Sequence, residues 1–298
     1  MNNPAMTTPT ARYDLHLHTH WSYDATANPR RYFEAARRQG LRCIAITDHH
    51  VLDSLGEVDA IAKDFPDIRA VAAAELTVKT RLGTFDLLCY GFPRKRSGDL
   101  DKVLDAYHAW QREYGAAVCA GVRALGHDFT DAHWHDLLHS YRPAEALAVQ
   151  GATHVKNEVL RGYFVKRGFI ASPEDYGPLL RRAQNAVPFP PYPAVSAVVP
   201  AVKAGGARVA IAHPYGYFAG CDEARMDAIR AECGLDGIEC AHPGVPVEYT
   251  QRYRAYCERH GLFSVGGSDC HADDEIAKNF AVHVGPEHWL DAFLDRLG

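Results

Sequence analysis

Histidines and carboxylates occur in this chain in short, closely spaced groups, each following an apolar run. In Asp14-Leu-His16-Leu-His18 polar and apolar residues alternate, so along an extended strand the two imidazoles share a face and can grip one ion. Thr47-Asp48-His49-His50 follows LRCIAI, Glu75 follows Ala70 to Ala74, and His213 follows RVAIA. Gly267-Ser268-Asp269-Cys270-His271 repeats the alternate spacing with one carboxylate and one imidazole. A solitary histidine is more often a hydrogen-bonded or surface residue, and an aspartate after a strand is usually a turn or capping residue. Five groups at the ends of five apolar runs call for a common cause. Imidazole nitrogen and carboxylate oxygen are the donors that transition metals take from proteins. The chemistry implied is a centre for several divalent cations.

The elements that must position these donors can be read from the same chain. Strands are predicted over residues 13–17, 41–47, 68–74 and 84–91, with helices over 29–39 and 55–64 between them. The alternation resumes with helix 194–204, strand 208–212, helix 223–233, strand 237–240, helix 247–260, strands 262–266 and 280–284, and helix 286–297. Such alternation implies a parallel α/β sheet or barrel, whose active face lies at the carboxyl ends of the strands. From 99 to about 188 the strand signal disappears. Helices are predicted over 100–114, 131–139, 154–167 and 173–186, before a proline-rich stretch, Pro188-Phe-Pro-Pro-Tyr-Pro193, that cannot continue a helix. The expected organisation is a loose tail at 1–11, a barrel from 12–98 and 193–298, and a helical insertion at 99–192.

With 298 residues, 47% hydrophobic and 23% charged, the chain can bury a core. Its net charge of -5 gives no basic coat for duplex DNA. The polar start lacks the basic and apolar regions of a signal peptide, and no apolar run approaches the roughly 20 residues of a membrane span. The eight cysteines are dispersed without a CxxC pair, which reads as free thiols and a cytoplasmic location.

The segment DLHLHTHWSYDA (Asp14 to Ala25) resembles the first motif of the PHP family, named for polymerase and histidinol phosphatase. ITDHH (Ile46 to His50), AAEL (Ala73 to Leu76), IAHPYGYF (Ile211 to Phe218) and GGSDCHA (Gly266 to Ala272) resemble its later motifs. The stretch from Asp236 to His271 is similar to small family members that act on nucleoside bisphosphates and short RNA ends. The resemblance implies a distorted (β/α)7 barrel holding two to three divalent ions (Mn, Fe or Zn). It implies that His16, His18, Glu75 and Asp269 hold one ion, and that Glu75 bridges to a second on His213. Asp24, His49 and His271 would hold a third. Where relatives place a second-ion histidine in a strand reading roughly IHLLGY, this chain reads FDLLCY, so Asp86 takes that place. A carboxylate there shifts preference toward harder ions.

Divalent ions neutralise phosphate oxygens and lower the pKa of a bound water towards ~7, so metal-activated hydroxide attacking phosphorus is the expected reaction. His242 or His20 could protonate the leaving oxygen. Substrate contacts are expected from the insertion, on a basic helical stretch carrying His154, Lys156, Arg161, Lys166 and Arg167, with Tyr192 or Tyr215 stacking a base. The expected substrate is a phosphate ester of a small metabolite, foremost a nucleotide or nucleoside 3',5'-bisphosphate. Histidinol phosphate, a cyclic phosphodiester and short RNA ends are the alternatives within the class. Outside it stand a metal-binding regulatory domain without turnover and a hydrolase of C–N or C–O bonds.

Overall fold

The computed structural model describes residues 11–95, 98–218 and 220–298. The expected tail at 1–11 lies outside the described residues except for Ala11, which is buried. Seven strands form one sheet in chain order: β1 (Tyr13–Leu17), β2 (Cys43–Ile46), β3 (Arg69–Thr80), β4 (Gly83–Tyr90), β5 (Arg208–Ile211), β6 (Gly237–Ala241) and β7 (Phe263–Gly266). A parallel bridge between Leu17 and Cys270 joins the two ends, with the His18 amide donating to the Cys270 carbonyl at 2.9 Å. The sheet thus closes into a (β/α)7-type barrel. Most strand residues are buried on both faces, as in barrels covered by helices. Asp14 reinforces the closure. Its carboxylate accepts from the backbone amides of His16, Ser268 and Ala281, tying β1 to two segments that follow β7.

The barrel is not wholly parallel, contrary to the expectation from the alternating pattern. β4 runs antiparallel to both β3 and β5. Only Arg81 and Leu82 separate β3 from β4, and a two-residue connection can reverse a chain but cannot carry a parallel crossover. The Thr80 hydroxyl accepts from the Leu82 amide (3.1 Å) and donates to the Gly83 carbonyl (2.9 Å), and Gly83 takes φ 136°, open to glycine. The reversal matters for the site because it brings Asp86 directly opposite Thr77, two residues beyond Glu75 on the same face of β3.

Between β4 and β5 lie the helices Asp99–Ala124, Asp131–His139, Ala144–Gln150, Asn157–Lys166 and Tyr176–Ala186. They gather an apolar cluster of their own around Val118, Phe129, Trp134, Leu138 and Phe164. The long first helix touches the last at Gly121, where a Cβ would stand 2.7 Å from the Ala183 carbonyl oxygen. The end of this block returns to the barrel through the Lys79 amide, which donates to the Pro193 carbonyl at 2.9 Å.

Three local expectations are corrected. Residues 280–284 form a turn rather than a strand: the Ala281 amide is spent on Asp14 Oδ2 at 2.9 Å, and Ala281 adopts φ 57°. The helix expected from 154 begins at Asn157, because the Trp134 indole takes the Thr153 carbonyl (2.8 Å) and the Tyr141 hydroxyl takes the Lys156 amide (2.9 Å), holding that segment extended. Helix Ala144–Gln150, behind Pro143, was not foreseen; seven residues give too little periodicity to stand out. All eight cysteines are unpaired, and no helix among the described residues is long and apolar enough to cross a membrane.

Candidate metal centre

His16 and His18 leave β1 with their Nε2 atoms 3.0 Å apart. Glu75 Oε2 lies 3.0 and 3.2 Å from these two nitrogens, and Asp269 Oδ1 lies 3.2 and 3.1 Å from them. Asp269 reaches this point in a left-handed conformation, φ 52°. Two residues earlier Gly267 crosses so close to β1 that a Cβ would lie 2.3 Å from the His16 Cβ and 2.4 Å from its amide nitrogen. Five of the six separations among these donors are 3.0–3.2 Å, and a tetrahedron of that edge has its centre about 2 Å from each corner, the length of a Zn–N or Zn–O bond.

Two further groups adjoin this one. Glu75 turns its other oxygen, Oε1, to His213 Nε2 at 3.1 Å, and Asp86 Oδ2 lies 3.9 Å from the same nitrogen. On the opposite side Asp24 Oδ2 stands 3.5 Å from both His49 Nε2 and His271 Nε2. The Ser22 hydroxyl donates to Asp24 Oδ1 at 2.7 Å, and His18 stacks on His271 with ring centroids 4.2 Å apart. In each group the donor atoms lie within 4.8 Å of one another.

Hydrogen bonds set the tautomers of key rings. His16 Nδ1 donates to Glu239 Oε1 at 2.8 Å and His271 Nδ1 donates to the Asp269 carbonyl at 2.8 Å, so in the neutral rings each Nε2 keeps its lone pair for the centre. His242 is the reverse case. Its Nδ1 accepts from the Gly244 amide at 2.9 Å, so the neutral ring carries its proton on Nε2, 3.2 Å from Asp269 Oδ2. The grouping of His16, Glu239 and His242 is therefore a hydrogen-bonded support rather than a further ion cradle.

The electrostatics fit a site built for cations. Burial opposes a charge on His18, but the hydrogen bonds it donates to Asp269 and Glu75 outweigh it and push the imidazole up to about 10. Burial likewise opposes charging of His213, and Glu75 carries it to about 9. His16 is held well above the ordinary histidine value, as Glu239, Asp269 and Glu75 overcome its burial. Glu75, Asp24 and Asp269, although buried, are held well below the usual carboxylate range by the imidazoles around them. Without ions, the buried carboxylates draw protons onto the histidines; divalent ions would take the place of those protons.

The structure brings all nine of the expected ligands together: His16, His18, Asp24, His49, Glu75, Asp86, His213, Asp269 and His271. Other expected site residues are placed differently. His20 Nε2 pairs with Glu57 Oε2 at 3.2 Å instead of joining the donors. His154 is no phosphate cation: burial pushes it down to about 3, and it packs on the Tyr23 ring at 3.7 Å. Lys156 pairs with Glu158 at 3.3 Å, and Arg161 interacts with Glu174 and Tyr176 on the helical block. Tyr215 packs on Tyr249 at 4.8 Å; it is Tyr217, on the helix Pro214–Phe218, whose hydroxyl reaches Asp86.

Glu239 was missed by sequence reasoning. It is fully buried, holds His16 with one oxygen, and with the other accepts from the His213 amide at 2.7 Å. A glutamate inside the apolar strand GIECA was the available signal, since an unpartnered charge is not buried. The Tyr141 hydroxyl, which donates to the Tyr23 carbonyl at 2.7 Å, and the Gln150 amide, which donates to the Trp21 carbonyl at 3.0 Å, fasten the loop that carries Asp24 to the helical block. Neither has a sequence signature.

The PHP domain family matches residues 14–171, more than half of the chain. Over 285 residues the chain is 27% identical to a 3',5'-nucleoside bisphosphate phosphatase of Chromobacterium violaceum, covering 89% of each protein. Its fold is similar to that of a Bifidobacterium adolescentis protein provisionally described as a metal-dependent phosphoesterase (TM-score 0.74, 24% identity, 97% of this chain and 98% of that one). It is also similar to an amidohydrolase from Chromobacterium violaceum solved with sulfate and no metal (TM-score 0.71, 20% identity, 95% and 96%). At those identities the two structures speak to the fold alone. With β1 to β4 inside the matched region and the donors of the later strands, His213, Asp269 and His271, converging with theirs, the chain belongs to the PHP family of metal-dependent phosphoesterases.

Proposed function

We propose that this phosphoesterase hydrolyses a phosphate ester of a small metabolite, with a nucleotide or nucleoside 3',5'-bisphosphate as its substrate class. The observation that carries the reading is the sharing of Glu75. Its two oxygens lie 3.0 Å from His16 and 3.1 Å from His213, and His18 stands among the donors of both the central group and the Asp24 group, so ions held by the three groups would stand side by side, as one phosphate requires. His16, His18, Glu75 and Asp269 would hold the first, Glu75, Asp86 and His213 the second, and Asp24, His49 and His271 a third. Bound there, two to three divalent ions supply charge neutralisation for the phosphate oxygens and a water acidic enough to ionise near neutral pH.

The remaining work falls to the chain. Glu239 fixes His16 in the tautomer that ligation needs. His242 keeps its proton on Nε2 beside Asp269 and is suited to donate a hydrogen bond to the leaving alcohol oxygen, whose proton would come from water. Residues 99–192 act as a cover that excludes water and contacts the leaving group. Tyr192, partly exposed and backed at 4.2 Å by the buried Trp110, offers an aromatic face for a base. The name of the relative from Chromobacterium violaceum supports the bisphosphate over histidinol phosphate, a cyclic diester or an RNA end.

The test pairs elemental analysis of gently purified protein with phosphate release from 3',5'-bisphosphates, mononucleotides, histidinol phosphate and short 5'-phosphorylated RNA, with His16→Ala as control. About two to three ions per chain, and release confined to bisphosphates and abolished in the variant, is the expected result. Release from histidinol phosphate or RNA alone would overturn the substrate class. No bound ion and no release would overturn the proposal as a whole.

A further inference from the structure

The donors around Glu75 are not alike. The central group has two imidazoles and two carboxylates with their nearest atoms 3.0–3.2 Å apart, whereas the Glu75–Asp86–His213 group has one imidazole and two carboxylates, with Asp86 standing back at 3.9 Å. Asp86 is also held on every side. Tyr217 Oη accepts from the Asp86 amide at 3.0 Å and donates to Asp86 Oδ2 at 2.5 Å, closing a ring between backbone and side chain. Thr77 Oγ1 donates to Asp86 Oδ1 at 2.5 Å and must therefore take its own hydrogen bond from His50 Nε2–H at 2.8 Å. Phe85 packs edge-on against the Tyr217 ring at 5.0 Å. Each carboxylate oxygen accepts one hydroxyl hydrogen and keeps a second lone pair.

From this geometry we infer that Asp86, locked by Tyr217 and Thr77, makes the Glu75–Asp86–His213 subsite select Mn2+ over Zn2+, while the central group keeps no such preference. Raw affinity at matched donors runs toward zinc, so a site reverses it only by donor type and geometry. Two anionic oxygens to one nitrogen, set wide enough for solvent or substrate oxygens to complete a larger shell, favour the harder ion. The hydroxyls prevent the carboxylate from closing on a small tetrahedral ion. Tyr217 and Thr77 are positioning residues here and Asp86 is the selecting one. The inference rests on the proposed reading that this group binds a metal ion.

The experiment uses full-length protein stripped by chelation. Mn2+ binding is followed by loss of the free-ion paramagnetic resonance signal, then challenged with equimolar Zn2+, and retained metals are counted by elemental analysis. The unmodified chain is expected to keep about one Mn2+ per chain beside Zn2+. Asp86→His should lower the retained Mn-to-Zn ratio by at least about tenfold, and Tyr217→Phe should weaken Mn2+ about tenfold while leaving the first Zn2+ in place. Circular dichroism checks folding, and should Asp86→His not fold, Asp86→Asn is measured instead with the same expectation. A ratio unchanged in these variants overturns the selectivity while leaving the metal centre intact. Failure of the unmodified chain to bind either ion overturns the underlying functional reading.

Discussion

Metal loading should expel protons, and the structure sets the scale. In the ion-free protein His18 sits at about 10 and His213 at about 9, so both are cations at neutral pH. Both must become neutral to ligate. At pH 7.5 removing the His18 proton costs about 3 kcal/mol and the His213 proton about 2 kcal/mol, at 1.36 kcal/mol per pH unit. The combined affinity for the first two ions at pH 7.5 should therefore lie roughly four decades below its value above pH 10, the binding of each ion gaining about one decade per pH unit between 7 and 9. Titration calorimetry in two non-coordinating buffers of different ionisation enthalpy should show about two protons released per chain, with His16 and His271, also raised, adding to that number. Affinity flat from pH 6.5 to 9, with less than one proton released, would refute the placement of these imidazoles among buried carboxylates. The same shifts give the ion-free protein a stability window. The raised histidines stabilise it fully below their unfolded value of about 6.5, and that contribution is lost as pH rises through 9 to 10. The depressed Glu75, Asp24 and Asp269 stabilise it above about pH 4, and that contribution is lost as pH falls through their folded values. Bound ions should abolish the alkaline loss.

Glu239→Gln leaves one acceptor for two donors, His16 Nδ1–H and the His213 amide; titration should show the first ion bound about 10- to 100-fold more weakly. Tyr141→Phe removes the hydroxyl that holds the Tyr23 carbonyl. It is expected to cost about 1 kcal/mol in a denaturant melt and to lower occupancy of the third ion, counted by elemental analysis, without loss of the first. Gly267→Ala drives a methyl into His16, and thermal unfolding should report about 3 kcal/mol or more of destabilisation; a variant as stable as the parent would mean that β1 and the segment after β7 are not in this contact.

Much of the centre was readable along the chain because its donors announce themselves locally. His16 and His18 alternate along one strand face, Asp269 and His271 repeat the spacing, and Glu75 and His213 each follow an apolar run. Helix Asn28-capped at Pro29–Gln39 and helix Val247–His260 lie where their periodicity and glycine stops put them. By itself the sequence determined the donor types, their attachment to strand ends and the family. It did not determine which donors share an ion. Periodicity encodes the face on which a side chain lies, but which faces meet depends on barrel closure, which brings His16 and Asp269 together across more than two hundred residues of chain. The tertiary structure alone decided that β4 runs backwards, which carries Asp86 to Thr77, Tyr217 and His213. It alone gave Glu239 its partners, because a buried carboxylate in an apolar strand is tolerable only once His16 and the His213 amide arrive from other strands to satisfy it.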